Sequence, residues 1–147
     1  MNIALIAHDG KKELMARFCE AYARVLGKHD LCVTGTTGAF LIGQTDLPIK
    51  LFMNDAQSGA EQIGSGIALG EIDLLLFFCD PDKDSCARDV AYLADCCARS
   101  NVPYAINSAT AEALALALSR GDLDLREAIR LNSMLTEQTK ELLGSHA

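Results

Sequence analysis

The sequence predicts an α/β fold: a single-domain three-layer sandwich in which helices cover both faces of a mostly parallel central sheet. Apolar runs of strand length alternate along the chain with segments whose apolar residues recur at helical spacing. Such alternation is typical of a parallel sheet with its functional loops at the carboxyl ends of the strands. The length of 147 residues fits one domain, with a helical tail over residues 126–147.

Each predicted element follows from its apolar period and from the residues that interrupt it. The runs that predict strands cover residues 2–7, 31–33, 49–51, 72–78 and 102–106. Six helices are predicted. The first contains Leu14, Phe18, Tyr22 and Val25, the next two lie near 37–43 and 58–69, and the fourth contains Val90 to Cys97. The last two run from 107 to about 119 and near 126–142.

The run Ile72–Phe78 is the most apolar of the predicted strands, with Asp73 near its start. A strand of this composition is buried on both faces, so we expect it to lie centrally in the sheet. Pro103 near the start of the last strand is tolerated. Gly121 is expected to end the helix that begins at Asn107 and Ser108.

Composition and charge narrow the partners of the protein. The formal net charge is −7 and aromatic residues make up 5% of the chain, which disfavours nucleic acid and anionic membranes as partners. The six cysteines show no paired CxxC spacing, so we expect reduced thiols and a cytoplasmic location. We expect neither a secretory signal nor a membrane span, and the scattered histidines predict no metal site.

The segment Thr34–Gly38 follows a strand and opens a helix, which is typical of a phosphate-binding loop. Its glycines allow close approach of backbone N–H groups to a ligand, its hydroxyls add donors, and the helix N-terminus favours an anion. The alternative is an ordinary loop in which a threonine caps the helix.

Other strand ends carry polar residues that should meet this loop. His8, Asp9 and Lys12 follow the first strand, and Cys79 and Asp80 follow the strand at residues 72–78. The alternative for His8 is a helix-capping or core histidine, and the alternative for Asp80 is a residue that only forms a turn before proline. The pattern predicts a site for a small phosphorylated metabolite.

Several segments in order resemble the methylglyoxal synthase family. They are Ala7-His8-Asp9 with Lys12, Thr34–Gly38, Gln62-Ile63-Gly64, Phe77–Pro81, and Pro103–Asn107 with Thr110-Ala111. The resemblance implies the fold of that family and the elimination of phosphate from dihydroxyacetone phosphate to give methylglyoxal. It also implies that no metal or organic cofactor is used and that the protein is a cytoplasmic homohexamer.

The resemblance assigns phosphate binding to one group of residues. These are His8, Lys12, Thr34, Gly35, Thr36 and Thr37, with Asn54 and Asp55 in place of a serine and a glycine. This assignment agrees with the physical interpretation of the loop, because a lysine, hydroxyls and backbone donors can hold a phosphate dianion as it leaves.

The proton-transfer part of the site departs from the family. Ala60 stands where the family has its proton-abstracting aspartate, and Cys86 or a neighbour replaces a histidine. Glu61 is the nearest replacement base, although on a helix it points about 100° away from Ala60, and its alternative is a solvated or capping glutamate. Asp80 and Asp89 are retained and complete the candidate catalytic residues with His8, and Asp55 and Asp89 are the next candidates for the base after Glu61.

Three hypotheses follow from this mixture of retained and altered residues. The first is an active lyase of the methylglyoxal synthase type with a rearranged base. The second is a relative that acts on another phosphorylated metabolite, and the third is a noncatalytic sensor of a phosphorylated ligand. The fold alone does not select among them.

Overall fold

The computed structural model describes residues 1–52 and 59–144. The chain divides into two compact units, residues 1–116 and 117–147. The first unit contains the whole sheet, and the second contains the long C-terminal helix. The prediction of one domain over residues 1–147 with a tail from residue 126 stays a prediction.

The sheet of the first unit is five-stranded in the described residues, in the order β3-β2-β1-β4-β5. Its strands are β1 (Asn2–Ala7), β2 (Asp30–Thr34), β3 (Ile49–Phe52), β4 (Leu74–Phe78) and β5 (Tyr104–Ala105). All neighbouring pairs are parallel, and Ala4 of β1 stands opposite Cys32 of β2 and Leu75 of β4. The predicted α/β class is confirmed.

The central position belongs to β1 rather than to β4. The prediction for residues 72–78 was therefore inaccurate in detail, although β4 is an interior strand with a partner on each side and is buried throughout. The strand begins two residues later than predicted, because Asp73 is held outside it. The backbone N–H of Asp73 donates to the Asn2 carbonyl oxygen, and its carboxylate accepts from the Asn2 N–H, each at 2.8 Å.

The helices occupy the segments where the apolar period places them. They are α1 (Lys12–Ala21), α2 (Ala23–Leu26), α3 (Gly35–Ile42), α4 (Gly59–Ala68), α5 (Cys86–Ser100), α6 (Ser108–Arg120) and α7 (Asp124–Gly144), with a 3₁₀ turn at Asp9–Lys11 before α1. None of the helices in the described part of the chain is long and apolar enough to span a bilayer.

The ends of α6 are formed as the sequence predicts. The Asn107 side-chain oxygen accepts a hydrogen bond from the Thr110 N–H at 2.9 Å, which caps the first turn. At the other end, Gly121 has a φ of 75°, and the N–H of Asp122 returns to the Ala117 carbonyl oxygen at 3.0 Å. This is a Schellman motif, which requires the left-handed conformation that glycine adopts without strain.

Helices pack on both faces of the sheet in the first unit. On one face, Ile6 and Phe77 pack with Ile63 of α4 and Leu93 of α5 in one buried cluster. On the other face, the ring of Phe18 in α1 meets Phe78 at 5.6 Å. Successive side chains along each strand point to opposite faces of the sheet, and helices cover both faces, which gives the predicted three-layer arrangement.

The last strand is much shorter than the predicted run at residues 102–106. Only Tyr104 and Ala105 pair with β4. Pro103 precedes the strand, accepts from the Leu75 N–H through its carbonyl oxygen, and has no N–H of its own to donate. The strand therefore begins only after the proline.

Candidate functional site

A cavity of about 180 Å³ lies at the carboxyl ends of β1 and β2, beside the first turns of α3, α4 and α5. We call it the His8 cavity. Its lining residues are Ile6, Ala7, His8, Asp9, Thr34, Thr36, Thr37, Gly59, Ala60, Lys83 and Asp89. The loops after β1, β2 and β4 thus meet at one edge of the sheet, as parallel strands require.

His8 is buried and held in one tautomer. Its Nδ1 atom accepts a hydrogen bond from the backbone N–H of Asp80 at 2.8 Å. A ring nitrogen that accepts carries no proton, so the neutral ring has its hydrogen on Nε2. Nε2 lies 3.7 Å from Asp89 Oδ2, and the ring packs edge-on against Phe77. The cavity therefore contains an N–H donor beside a carboxylate.

Asp80 acts on this site through its main chain. Its side-chain oxygen accepts from the Asp82 N–H at 3.0 Å, which forms a local turn, and Asp80 is absent from the residues that line the cavity. The turn-forming alternative for its carboxylate is supported, while its backbone N–H positions His8.

The segment Thr34–Gly38 consists of the last residue of β2 and the first turn of α3, with no separate loop between them, and it presents donors to the cavity. Thr34 precedes α3 with extended backbone, and its side chain makes no capping hydrogen bond. The threonine-cap alternative therefore has no support from the hydroxyl of Thr34. The first backbone N–H groups of α3 have no partner within the helix, and Gly35 and Thr36 are exposed. This geometry suits a bound anion.

Thr37 differs from the other residues of the loop, because its hydroxyl is already bonded. Its Oγ1 lies 3.3 Å from both the N and the O of Ala7, accepting from the N–H and donating to the carbonyl oxygen. The side chain is buried and joins α3 to the end of β1. A hydroxyl has one hydrogen, so a bond from Thr37 to phosphate would require it to release the Ala7 carbonyl.

Lys12 and Asp9 form an ion pair at the edge of the site. Lys12 Nζ lies 2.9 Å from Asp9 Oδ1, and Asp9 is highly exposed. The hydrogen bond from Lys12 and its charge lower the pKa of the Asp9 carboxyl. Asp9 lines the cavity, whereas Lys12 does not. The prediction that Lys12 binds phosphate stays a prediction.

The proton-transfer candidates occupy different positions around α4 and α5. Ala60 is buried and lines the cavity at the place where the resemblance expects an aspartate. Glu61 is exposed and does not line the cavity. Burial, Cys96 and the charge of Glu61 raise the pKa of Tyr92, so Glu61 lies near that ring. Asp89 does line the cavity.

Asn54 and Asp55, predicted to bind phosphate, lie outside the described residues. Lys83 is a lining residue that the sequence reasoning missed. The signal that could have found it is a lysine in the loop directly after an interior strand. That signal becomes informative only once β4 is known to pair with β1, which brings its loop beside His8.

Cys79 and Cys86 do not line the His8 cavity. Burial and a hydrogen bond with the Cys86 thiol raise the pKa of Cys79 to about 11, which keeps the thiol protonated and weakly nucleophilic. Cys86 begins α5 and is buried outside the lining of the cavity. All six cysteines are free, and no cluster of metal-binding side chains occurs within residues 1–52 and 59–144.

The fold and the site define a class: a parallel α/β protein with a small polar cavity at the carboxyl ends of its strands, in which a helix N-terminus meets a histidine–carboxylate pair. Residues 14–106 match the family model described as the MGS-like domain. The chain belongs to the methylglyoxal synthase family, as its sequence motifs indicated.

Curated relatives and a solved structure agree with this assignment. A methylglyoxal synthase of Caldicellulosiruptor saccharolyticus is 48% identical over 88% of the chain and 92% of that protein. One of Oceanobacillus iheyensis is 47% identical over 88% of the chain and 94% of that protein. The crystal structure of methylglyoxal synthase from Elizabethkingia anophelis NUHP1 matches with a TM-score of 0.68 and 36% identity, covering 78% of this chain and 76% of that one.

Proposed function

We propose that the protein is a carbon–oxygen lyase of the methylglyoxal synthase type, which eliminates phosphate from dihydroxyacetone phosphate to give methylglyoxal. Relatives that are 40–48% identical over most of the chain carry the name methylglyoxal synthase, which supports this activity. The observation that carries the proposal is the His8 cavity, in which the end of β2 and the first turn of α3 line the same space as His8 and Asp89.

The phosphate group is proposed to bind at the start of α3. The N–H groups of Gly35 and Thr36 and the positive end of the helix provide donors and a favourable field, and the hydroxyls of Thr34 and Thr36 line the same wall. Lys12 adds positive charge nearby, although its ammonium is shared with Asp9. Phosphate roles for Asn54 and Asp55 remain predictions from the resemblance, whereas we propose that Thr37 keeps its hydrogen bonds to Ala7 and does not bind the phosphate.

Asp89 is the carboxylate best placed to act as the base. It lines the cavity and is partly shielded from solvent, with 26% of its side chain exposed. Asp9 is a weaker candidate, because Lys12 lowers its pKa and its carboxylate is 88% exposed. Glu61 lies near Tyr92 and outside the lining of the cavity. We therefore assign proton abstraction to Asp89 rather than to Glu61.

The proposed reaction proceeds by proton removal and then elimination. Asp89 takes a proton from the carbon that bears the free hydroxyl, and the carbonyl oxygen becomes the oxyanion of an enediolate. The electrons of the new double bond shift towards the phosphate-bearing carbon, whose C–O bond breaks, and the hydroxyl proton leaves with the phosphate. The enolate regains a proton as it becomes methylglyoxal, which restores the Asp89 carboxylate.

His8 contributes the fixed Nε2–H donor in this scheme. With Nδ1 bonded to the Asp80 N–H, the Nε2–H can donate to a substrate oxygen next to Asp89 without any tautomer change. The reaction as proposed uses neither a metal nor an organic cofactor. We therefore expect turnover to survive extended dialysis against a chelator.

One observation favours the alternative of a noncatalytic sensor. Ala60 places a methyl group in the cavity where the resemblance expects the base, while the phosphate-binding loop is retained. A sensor would be stabilised thermally by inorganic phosphate or dihydroxyacetone phosphate without forming any dicarbonyl. If dihydroxyacetone phosphate is bound but not converted, and a different phosphorylated metabolite is turned over, the protein is instead a relative that acts on that other metabolite.

The test is a trapping assay for methylglyoxal coupled to a measurement of free phosphate. We expect wild-type turnover, and we expect Asp89→Asn to lower kcat by about 10²- to 10⁴-fold, the usual contribution of a general base. Thermal stabilisation by inorganic phosphate should be unchanged in that variant. Asp95→Asn is the matched control, because Asp95 lies on the same helix but pairs with exposed Arg99.

The result with Glu61→Gln separates the two candidate bases. We expect this variant to retain turnover, because Glu61 lies outside the lining of the cavity. A large loss with Glu61→Gln and none with Asp89→Asn would contradict the assignment to Asp89. Stabilisation by phosphate without turnover at high wild-type concentration would contradict the lyase and leave the sensor.

We further propose a cytoplasmic homohexamer, on the basis of the sequence resemblance. The six free cysteines support a reducing compartment, in which thiols persist without pairing. The assembly is tested by light scattering coupled to size-exclusion chromatography. A mass of one 15.8 kDa chain under assay conditions would contradict the hexamer.

A further inference from the structure

The walls of the His8 cavity are formed by loops on opposite sides of β1. The phosphate-binding loop follows β2, whereas Lys83 and Asp89 follow β4. In the sheet, β2 and β4 are the two neighbours of β1, so these walls face each other across His8. A ligand whose phosphate lies at the start of α3 therefore extends its other end towards Lys83 and Asp89.

Lys83 is held at this wall by its main chain. Its backbone N–H donates to the Asp80 carbonyl oxygen at 3.0 Å, and its own carbonyl accepts from the Cys86 N–H at 3.0 Å. The Asp80 N–H in turn bonds to His8. The loop therefore has a fixed position relative to the histidine, although the side chain of Lys83 is exposed enough to approach a ligand.

The ammonium of Lys83 is available for an anion. Within residues 1–52 and 59–144, the ion pairs are formed by other side chains: Lys12 binds Asp9, Arg99 binds Asp95 and Arg120 binds Asp122, while the neutral His8 ring lies beside Asp89. Lys83 acts on Asp9 only at longer range, where its charge adds a small further lowering of the Asp9 pKa. Among the described residues that line the cavity, Lys83 is the one lysine.

We infer that Lys83 binds the oxyanion end of the ligand, and that in the proposed lyase reaction it stabilises the enediolate oxygen formed when Asp89 removes the proton. This inference rests on the proposed function for its catalytic meaning. Removal of a carbon-bound proton next to a carbonyl places negative charge on the carbonyl oxygen, and a positioned cation in a small cavity stabilises that charge. The neutral His8 ring provides a hydrogen bond there but no full charge.

The kinetic test compares Lys83→Met, Lys83→Arg and the control Lys28→Met. Lys28 is also exposed but lies before β2, at the opposite edge of the sheet, so its substitution removes the same charge away from the site. We expect Lys83→Met to lower kcat by about 10²- to 10³-fold, as loss of an oxyanion donor does, with Lys83→Arg restoring part of it. An unchanged kcat in Lys83→Met would overturn the inference.

A binding test does not depend on turnover. Phosphoglycolate carries a planar carboxylate next to its phosphate and so resembles the enediolate, whereas inorganic phosphate lacks that group. By calorimetry, we expect Lys83→Met to weaken phosphoglycolate binding about 10- to 100-fold and to leave inorganic phosphate binding unchanged. An equal loss of affinity for both ligands would show that Lys83 binds the phosphate group, and this would overturn the inference. Unchanged affinity for both ligands would also overturn it.

The two tests distinguish failure of this inference from failure of the proposed function. If wild-type protein binds phosphoglycolate in a Lys83-dependent manner but forms no methylglyoxal, the oxyanion site stands and the lyase is wrong. If methylglyoxal forms at equal rates in wild type and Lys83→Met, the lyase stands and the role of Lys83 is wrong.

Discussion

Gly64 of α4 faces the ring of Tyr92 in α5, with no space for a side chain between them. A Cβ atom added to Gly64 would lie 2.6 Å from Cε1 and 2.7 Å from Cζ of Tyr92, and would also meet its Oη. Carbon atoms in contact prefer separations near 3.5–4.0 Å, so the ring has to move. Gly64→Ala therefore forces the Tyr92 ring out of its position.

Two opposing effects set the size of the change in stability. Overpacking costs about 1–3 kcal/mol, and the lower part of that range applies because Tyr92 is 41% exposed and its ring can swing outwards. Alanine in a helix interior is more favourable than glycine by about 1 kcal/mol. Gly64→Ala alone should therefore change the free energy of unfolding by about 1 kcal/mol or less, in the destabilising direction.

The decisive experiment is a double-mutant cycle with Tyr92→Ala, measured by urea unfolding. Without the ring, Gly64→Ala should stabilise the protein by about 1 kcal/mol, so the two substitutions should show a coupling of about 1–2 kcal/mol. A coupling under about 0.5 kcal/mol, within the error of additivity, would refute the reasoning.

Three further outcomes are expected. Ala60→Asp, which restores a carboxylate to the cavity, should raise kcat about tenfold or more at some cost in stability, while Ala68→Asp at the exposed end of α4 should not. Thr37→Val, which removes the bonds to β1, should lower the free energy of unfolding by about 1–3 kcal/mol in urea titrations and leave phosphate affinity nearly unchanged. Burial raises the pKa of Cys19 and Cys97 from the ordinary thiol value of 9.0 to about 12. Their contribution to stability should therefore be complete below pH 9 and disappear as the pH rises towards 12, as thermal unfolding at increasing pH would show.

Much of the fold could be predicted because apolar period is a local property of the chain. The strands β1 and β2, the helix α4 and both ends of α6 follow from residues within each segment. The order of the strands could not be predicted, because pairing depends on contacts between distant segments. The central position of β1 and the short β5 are consequences of those contacts and of Pro103.

The residue types in the sequence were enough to indicate candidate site residues, but they did not indicate where each side chain would lie. Residue types at strand ends indicated that His8, Asp9 and Thr34 could meet, the family resemblance added Asp89, and the structure brings these residues to one cavity. The direction of Glu61 and the main-chain role of Asp80 depend on helix phase and on a hydrogen bond across the sheet, which residue types do not encode. Lys83 was missed for the same reason.

The central place of β1 also links ligand binding to completion of the fold. His8 gains its Asp80 partner only after β4 has paired with β1, which joins segments far apart in the sequence. A folding intermediate in which only β1 and β2 have paired would contain the phosphate-binding loop but neither the oriented imidazole nor Asp89. Tight binding of a phosphorylated ligand can therefore serve as a reporter of late assembly in refolding experiments.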